Sequence, residues 1–386
     1  MSKPATSDFG FGTEEEMLRD LARQFLSEKL PVEKLRDLVS TDPEAVYEKG
    51  ERPAWEPSLW KQIVELGWNE LAIPEEAGGA GFKQVGIAAL CEEVGRHALP
   101  SPLVATVNAT HVLAASEGDH ARTWMDRIAH GAAASLAIHD EMGQWEEGRT
   151  ALRVTQEDGQ HRISGKVYFV QDAFKADFLV AAAHHQDEYW LVAIPCNSPG
   201  LTLVQDQIHD LTRDQATAHL DEVPIAPENI ISCQATSSLA QAWPSILVTV
   251  AADLCGCAEW QLQTTTEYAK NRKQFDRPIG FFQAIKHPLV DAMVAIDRAR
   301  SLLYHAASCI DAGDPEALQA ARMAKSAASD AGAFISDRSV QLHGGIGFTW
   351  ECDVHIFFKR SMHNQVLYGD GAYQRHRLAE NMIGPL

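Results

Sequence analysis

The spacing of hydrophobic positions changes twice along the chain. Up to about residue 133 apolar residues recur at helical intervals, from 134 to 236 they form short alternating runs, and from 237 the helical interval returns. This order predicts an α+β fold with three domains. They are an N-terminal helical domain (1–133), a middle β domain (134–236) and a C-terminal four-helix-bundle domain (237–386).

The first predicted helix begins at a capping box of Thr13 and Glu16 and ends before Pro31. Its apolar stripe consists of Met17, Leu18, Leu21, Phe25 and Leu26. Further helices are predicted over residues 60–66 and 84–96, with a glycine-rich loop at 73–81. Because this loop follows no strand, a structural turn is favoured over a phosphate-binding loop.

The middle segment holds about seven short runs rich in β-branched and aromatic residues, separated by Asp-Gly, Ser-Gly and Pro-Gly turns. This spacing predicts a β-sandwich or barrel that ends near residues 227–229. Three long helices are then predicted over residues 240–272, 284–312 and 315–342, followed by an amphipathic run at 354–364.

Composition narrows the possible functions. The formal net charge of −20 at pH 7 disfavours binding to nucleic acid or to an anionic membrane. No run of about 18 consecutive apolar residues predicts a membrane-spanning helix, and the N-terminus lacks the apolar segment of a signal peptide. The seven scattered cysteines fit reduced thiols and no metal site. We therefore expect a cytoplasmic protein.

Two segments of the last domain could contact an anionic ligand. Arg272, Lys273 and Arg277 follow the first long helix, where cations either complement the helix dipole or clamp a phosphate. Gln283, after the turn, could reach the same ligand or face solvent. Gln341 with Gly344-Gly345 ends the third long helix, as a plain C-cap or as a point of close backbone approach to a ligand.

Asp370 lies between Gly369 and Gly371 near the end of the chain. A carboxylate beside glycines is often a solvated loop acid. The same glycines would also leave room for a ligand against the carboxylate. Both interpretations remain open at this point.

Several features together resemble the acyl-CoA dehydrogenase family. They are the α–β–α order, the segments NRKQFDRPIGFFQAI and QLHGGIGFTWE, and the closing Asp-Gly-x-x-Gln-x-x-Arg. The likeness includes WKQIVELGWNELAIPEEAGGAGF and so covers nearly the whole chain. It implies FAD bound between the β domain and the bundle, with an acyl-CoA thioester against the flavin. It further implies an electron-transfer flavoprotein as electron acceptor, and a homo- or hetero-oligomer (a dimer of dimers) whose neighbouring subunit completes each site.

The resemblance also implies roles for individual residues. Asp370 occupies the position of the family's catalytic glutamate, which removes the α-proton while the β-hydrogen leaves as hydride to flavin N5. Arg272 and Phe275 match the pair that meets FAD from the adjacent subunit. The remaining implied FAD contacts are Gln283, Gln341, Gly344, Gly345 and Gln374.

Three departures from the family pattern bear on the expected catalytic base and on the expected flavin contacts. Asp370 is one methylene shorter than glutamate, and the turn near Ile246, where some members carry the base, has no acid. Residues 138–145 replace Thr-Glu-Pro-x-Ala-Gly-Ser-Asp, and Tyr168-Phe169-Val170 replace Trp-x-Thr/Ser, so Val170 supplies no hydroxyl to flavin N5.

These departures keep two other functions open. The chain could be a catalytically impaired partner subunit that completes the flavin site of another chain, as in heteromeric relatives that act on steroid side chains. It could also be an acyl-CoA oxidase, which uses O₂ as acceptor. A bulky or branched acyl-CoA is the expected substrate class.

Overall fold

The computed structural model of the chain describes residues 10–40, 46, 51, 53–144 and 149–384. Helices come first, then a β-sheet, then helices again, which confirms the predicted α+β architecture. The sheet begins at Ala134, and the long helix that follows the sheet begins at Ala235. These element bounds lie within two residues of the predicted domain boundaries, which remain predictions.

The first region consists of helices that pack around one apolar core. They are α1 (Thr13–Lys29), α2 (Val32–Val39), α3 (Pro57–Glu65), α4 (Gln84–Arg96), α5 (Leu103–Ala114) and α6 (Asp119–Ala129).

The start of α1 differs from the prediction in its cap and in its buried face. The Glu15 carboxylate, not that of Glu16, accepts the Gly12 N–H at 2.9 Å. Leu26 is buried, but Met17 and Leu21 are exposed. The predicted stripe was too wide because α1 lies at the surface and buries only a narrow face, mainly against α4.

The middle region forms one eight-stranded sheet in place of the predicted seven strands. Its strands are β1 (Ala134–Ala137), β2 (Arg153–Glu157), β3 (Gln160–Gln171), β4 (Phe178–His185), β5 (Glu188–Pro195), β6 (Leu201–Gln205), β7 (Gln215–Ile225) and β8 (Ile230–Ser232). The order is β6-β7-β3-β2-β4-β5-β8, with β1 parallel to β4. β2 pairs with β4 at Arg153–His184, and side chains from both halves of the sheet share one core.

The last region is a bundle of long helices with a hairpin inserted after the first of them. Its elements are α7 (Ala235–Asn271), β9 (Lys273–Gln274), β10 (Arg277–Pro278), α8 (Gln283–Asp311), α9 (Ala317–His343), α10 (Val354–Val366) and α11 (Gly371–Ile383). Helices α7, α8 and α9 pack on one another, while α10 and α11 pack on α9.

Helix α7 crosses α4 at very short range and so joins the first region to the bundle. A Cβ atom at Gly95 would lie 2.0 Å from the Asp253 carbonyl oxygen, and one at Gly256 would lie 1.8 Å from that of Glu92. Glycine is required at both positions because any side chain would force the helices apart. Helix α7 is long and apolar enough to cross a membrane, which the sequence analysis did not predict. However, 83% of its most apolar stretch is buried inside the structure.

Candidate functional site

A cavity of about 630 Å³ lies where the β domain meets α10 and α11. The β domain contributes walls from His139, Gly143, Phe169 and Gln215. The bundle contributes His363, Tyr368, Asp370 and Tyr373. Asp370 is thus the one predicted site residue that lines this cavity, among the residues the structure describes.

Asp370 is the N-cap of α11. Its Oδ1 accepts the Tyr373 N–H at 2.8 Å, and the side chain is half-buried. The two residues before it, Tyr368 and Gly369, have φ of 57° and 90°, so the chain turns sharply just before the carboxylate. This hydrogen bond uses one carboxylate oxygen at the edge of the cavity, and a carboxylate can accept several more.

Tyr368 connects this turn to all three regions. Its ring stacks on His139 of the β domain with centroids 5.3 Å apart, and it meets Trp243 of α7 edge-on at 5.2 Å. Its hydroxyl is hydrogen-bonded to Asn108 of α5. Burial raises the pKa of Tyr368 above its ordinary value. Tyr368 therefore anchors the Asp370 turn as a neutral phenol.

Two neutral imidazoles line the cavity. Burial lowers the pKa of His139 and of His363 to about 4, so both are uncharged at pH 7. The Nε2–H of His363 donates a hydrogen bond of 2.6 Å to Oε1 of Gln171. The buried Nδ1 of His139 has no hydrogen-bond partner in the described part of the chain.

Behind the cavity, a buried ion network joins the β domain to the bundle. Asp253 of α7 accepts hydrogen bonds of 2.9 and 2.6 Å from Arg360 of α10 and one of 2.8 Å from Arg213. Burial alone would raise the pKa of Asp253, but the two guanidinium charges hold it below its ordinary value. The network fixes α10, which carries His363 and leads directly into the Asp370 turn.

Arg272 and Phe275 lie at a different place, the end of α7. Arg272 caps that helix, and Phe275 is 87% exposed at the tip of the β9–β10 hairpin, which the sequence analysis did not predict. Gln283 is exposed at the start of α8, after the same hairpin. None of the three lines the cavity.

Gln341, Gly344 and Gly345 are exposed at the end of α9. Tyr268 of α7 stacks on His343 of α9 with centroids 4.2 Å apart, so the two helix ends lie side by side. A Cβ atom at Gly344 or Gly345 would meet nothing within 4 Å. Gly344 has φ 65°, which favours glycine for backbone reasons alone, whereas nothing in this chain requires glycine at Gly345. The exposed backbone of both residues is available to a ligand or another chain.

Gln374 lies in a different environment from that of the expected FAD contact, whereas Val170 lies where its apolar side chain predicts. Gln374 is fully buried, accepts from Arg322 at 3.0 Å and donates to the Tyr368 carbonyl at 2.7 Å, so its role as a FAD contact remains a prediction without support from its position. Val170 is buried in the β-domain core opposite Ala216, as a residue without a polar role should be.

A bulge in β3 explains which residue of the segment 168–170 lines the cavity. The register of β3 shifts between Val167 and Val170, and Phe169, at φ 56°, turns onto the cavity wall. Of the divergent segment 138–145, His139, Met142, Gly143 and Gln144 line the cavity, whereas Trp145 lies outside the described residues.

The residues present fit FAD, but on two separate surfaces. Aromatic walls at Phe169 and Tyr368, with the orphaned nitrogen of His139 beside them, suit a flat ring system that carries hydrogen-bonding edges. The exposed guanidinium of Arg272 and the open backbone at Gly344–Gly345 suit an anionic nucleotide portion.

The comparisons with known proteins agree with this architecture. Residues 12–132 match the family described as "Acyl-CoA dehydrogenase, N-terminal domain", and residues 248–383 match "Acyl-CoA dehydrogenase, C-terminal domain". Acyl-CoA dehydrogenase IpdE2 of Mycobacterium tuberculosis is 33% identical over 309 residues, which is 80% of this chain and 81% of IpdE2.

Solved structures extend the similarity to nearly the full length. A variant of the steroid ACAD Tcur3481-Tcur3483 is 26% identical, with a TM-score of 0.84 over 96% of this chain and 98% of its own. The ChsE4-ChsE5 complex from Mycobacterium tuberculosis is 22% identical, with a TM-score of 0.86 over 98% of this chain and 100% of its own, which shows a shared fold.

Proposed function

Because this chain belongs to the acyl-CoA dehydrogenase family, we propose that it converts an acyl-CoA thioester to the trans-2-enoyl-CoA with Asp370 as the base. The family consists of FAD-dependent oxidoreductases that act on CH–CH groups. The observation that carries the proposal is the position of Asp370, a half-buried carboxylate on the wall of the cavity between the β domain and the bundle.

Each part of the cavity has a role in this proposal. Asp370 accepts the α-proton of the thioester, which requires its carboxylate to be ionised and directed at the substrate. Phe169 and Leu367 keep water from the reacting carbons. Bound FAD supplies the acceptor for the β-hydrogen, which leaves as hydride. An electron-transfer flavoprotein is the proposed final acceptor of the electrons.

The proposed FAD contacts divide between two subunits. Phe169, Tyr368 and His139 would hold the ring portion within one subunit, while Arg272 and Phe275 would contact the cofactor of the adjacent subunit. The separation of these two groups within one chain supports this division. Exposed apolar side chains near the hairpin also favour a covering chain; they are Phe275, Phe281, Val290, Met293 and Val294.

Replacement of Arg272 should weaken FAD retention. Arg272→Ala removes a charged hydrogen bond to the cofactor, which is worth about 1.5–3 kcal/mol, or roughly a 10- to 150-fold rise in the dissociation constant. FAD affinity is measured by titrating the deflavinated protein and following flavin fluorescence.

Lys270→Ala is the matched control, because Lys270 is a cation on the last turn of α7 whose ammonium pairs with Glu267. It should bind FAD like the unaltered chain. Equal FAD affinity in all three proteins would remove Arg272 from the cofactor site.

A second candidate function is that of a partner subunit that completes the flavin site of another acyl-CoA dehydrogenase chain. The cavity and the Arg272 surface lie apart in this chain. This arrangement favours the partner role, because either surface could contribute to a flavin site shared with a different chain. The similar solved structures named Tcur3481-Tcur3483 and ChsE4-ChsE5 each pair two chains.

One experiment tests the proposal against this alternative. The chain is purified alone, its visible spectrum is recorded, and butyryl-, isobutyryl-, octanoyl- and steroid-side-chain CoA thioesters are added without oxygen. A yellow protein that bleaches supports a self-sufficient dehydrogenase. A colourless protein that turns yellow only after co-expression with a second dehydrogenase-like chain supports the partner role. Rapid oxygen uptake during turnover in air would indicate an oxidase instead.

A further inference from the structure

A fully buried lysine lies directly behind the Asp370 turn. Lys325 of α9 is 0% exposed, and its Nζ donates to the carbonyl oxygens of Gly369 and Gln365, each at 2.9 Å, and to Oγ of Ser329 at 3.0 Å. In the described part of the chain no carboxylate lies within the 4.0 Å of an ion pair with it. A buried ammonium whose direct hydrogen-bond partners are all neutral is costly, so its presence calls for a reason.

Lys325 belongs to a row of buried polar side chains on one face of α9. Arg322 donates to the Gln374 side chain at 3.0 Å, and Ser326 donates to the Gly371 carbonyl at 3.1 Å. The spacing 322, 325, 326 and 329 places all four residues of the row on one helix face. Carbonyl groups on both sides of Asp370 are therefore held from behind by the same helix.

The turn that this row holds is strained. Tyr368 adopts φ 57°, a left-handed conformation that costs an aromatic residue free energy, and Gly369 follows at φ 90°. The Gly369 carbonyl, which Lys325 binds, belongs to the peptide group that leads into Asp370. Loss of this hydrogen bond would let the peptide rotate and would displace the carboxylate.

Hydrogen bonding alone does not explain a lysine at this position. Ser326, on the same face, binds its carbonyl through a neutral hydroxyl without the cost of burying a charge. What lysine adds is positive charge beside the Asp370 carboxylate. Burial lowers the pKa of Lys325 to about 7, against the opposing effect of the Asp370 charge.

We propose that Lys325 is a positioning residue for Asp370. Lys325 fixes the Gly369 peptide, and its charge favours the ionised Asp370 carboxylate that accepts the α-proton. The inference rests on Asp370 acting as the base, as proposed above. The Gly369 carbonyl accepts a hydrogen bond from Lys325 Nζ. Other charged or titratable groups also lie near this turn; they are Arg322, Asp330, His139, His363, Tyr373 and Arg375.

The test compares Lys325→Met, which removes both donor and charge, with Lys325→Gln, which removes the charge but keeps amide donors on a shorter side chain. FAD-loaded protein, co-expressed with its partner chain if the flavin requires one, is mixed with the acyl-CoA that bleaches it, and the rate of flavin reduction is followed from pH 5 to 9. Lys325→Met should lower the maximal rate by about 10- to 100-fold through misplacement of the base, with little change in the acyl-CoA concentration needed for half the maximal rate.

The pH profile separates a positioning role from a merely structural one. In both variants the pH of half-maximal rate should rise by about 1 unit, because a nearby positive charge no longer favours the ionised base. Lys34→Gln is the control, since it removes a partly exposed lysine charge of α2 that pairs with Glu56 and should leave that pH unchanged. If Lys325→Met does not fold, Lys325→Gln carries the test.

Two results would overturn the inference in distinguishable ways. If Asp370→Asn abolishes reduction while both Lys325 variants keep the pH profile of the unaltered chain, the inference fails and the proposed base stands. If Asp370→Asn leaves reduction unchanged, the proposed function and this inference both fail.

Discussion

Asp370→Asn is expected to slow flavin reduction by acyl-CoA by about 10²- to 10⁴-fold, the range that loss of a general base produces. The substitution keeps the shape of the side chain and its Oδ1, so the hydrogen bond from the Tyr373 N–H, 2.8 Å long, can remain. Asparagine caps helices as well as aspartate does, so α11 should still begin at Gly371. Anaerobic stopped-flow absorbance at the flavin band measures the effect directly.

Three controls define that result. Flavin content and the thermal melting temperature should match those of the unaltered chain, because Asp370 takes part in no buried ion pair among the described residues. Asp119→Asn, a charge removal at an exposed first-turn position of α6, should leave the rate unchanged. A rate within threefold of the original in Asp370→Asn would eliminate this carboxylate as the base and favour the partner-subunit role.

The fold was largely predictable because its elements have strong local signals. The long helices of the bundle end within a few residues of their predicted bounds, at turns marked by glycine or by polar residues. Weak signals account for the misses. β8 is only three residues long, and the β9–β10 hairpin depends on positive φ at Phe275 and Asp276, which no residue type there announces.

The candidate site was predictable only where resemblance identified a motif. Asp370, which the family motif singled out, lines the cavity, and its role as the base stays a prediction. Lys325 was missed because it looks like a surface residue in an amphipathic helix, and its burial depends on which helices pack against it. Asp253 was missed as well, because its partners Arg213 and Arg360 are distant in sequence. Asp253 did carry a local signal, since it is an acid within the otherwise apolar run TVAADLCGCA of α7.

The buried network at Asp253 should dominate the stability of the junction between the β domain and the bundle. Asp253→Asn leaves the fully buried guanidinium of Arg360 without its ion-pair partner among the described residues, whereas Arg213 keeps a hydrogen bond of 3.3 Å to Asp172. Such a loss is expected to lower the free energy of unfolding by about 3–5 kcal/mol. Urea denaturation of the FAD-loaded protein, followed by tryptophan fluorescence at fixed protein and FAD concentrations, measures it.

Glu267→Gln supplies the comparison for this stability effect. Glu267 pairs with Lys270, and both side chains are 63% exposed, so its loss should change the unfolding free energy by less than about 1 kcal/mol. An equally small change in Asp253→Asn would contradict the view that the network holds α10 in place.

The pH dependence of the stability lost in Asp253→Asn tests whether the charge is its cause. The pKa of Asp253 in the folded chain lies below its ordinary value, so the carboxylate stabilises the fold above that value and loses this contribution as the pH falls through the folded pKa. The difference between Asp253→Asn and the unaltered chain should therefore be constant above about pH 5 and shrink below about pH 4. If the difference in unfolding free energy stays the same in acid, lost packing and not lost charge would be its cause. The cavity would then depend more on the shape of this junction than on its charge.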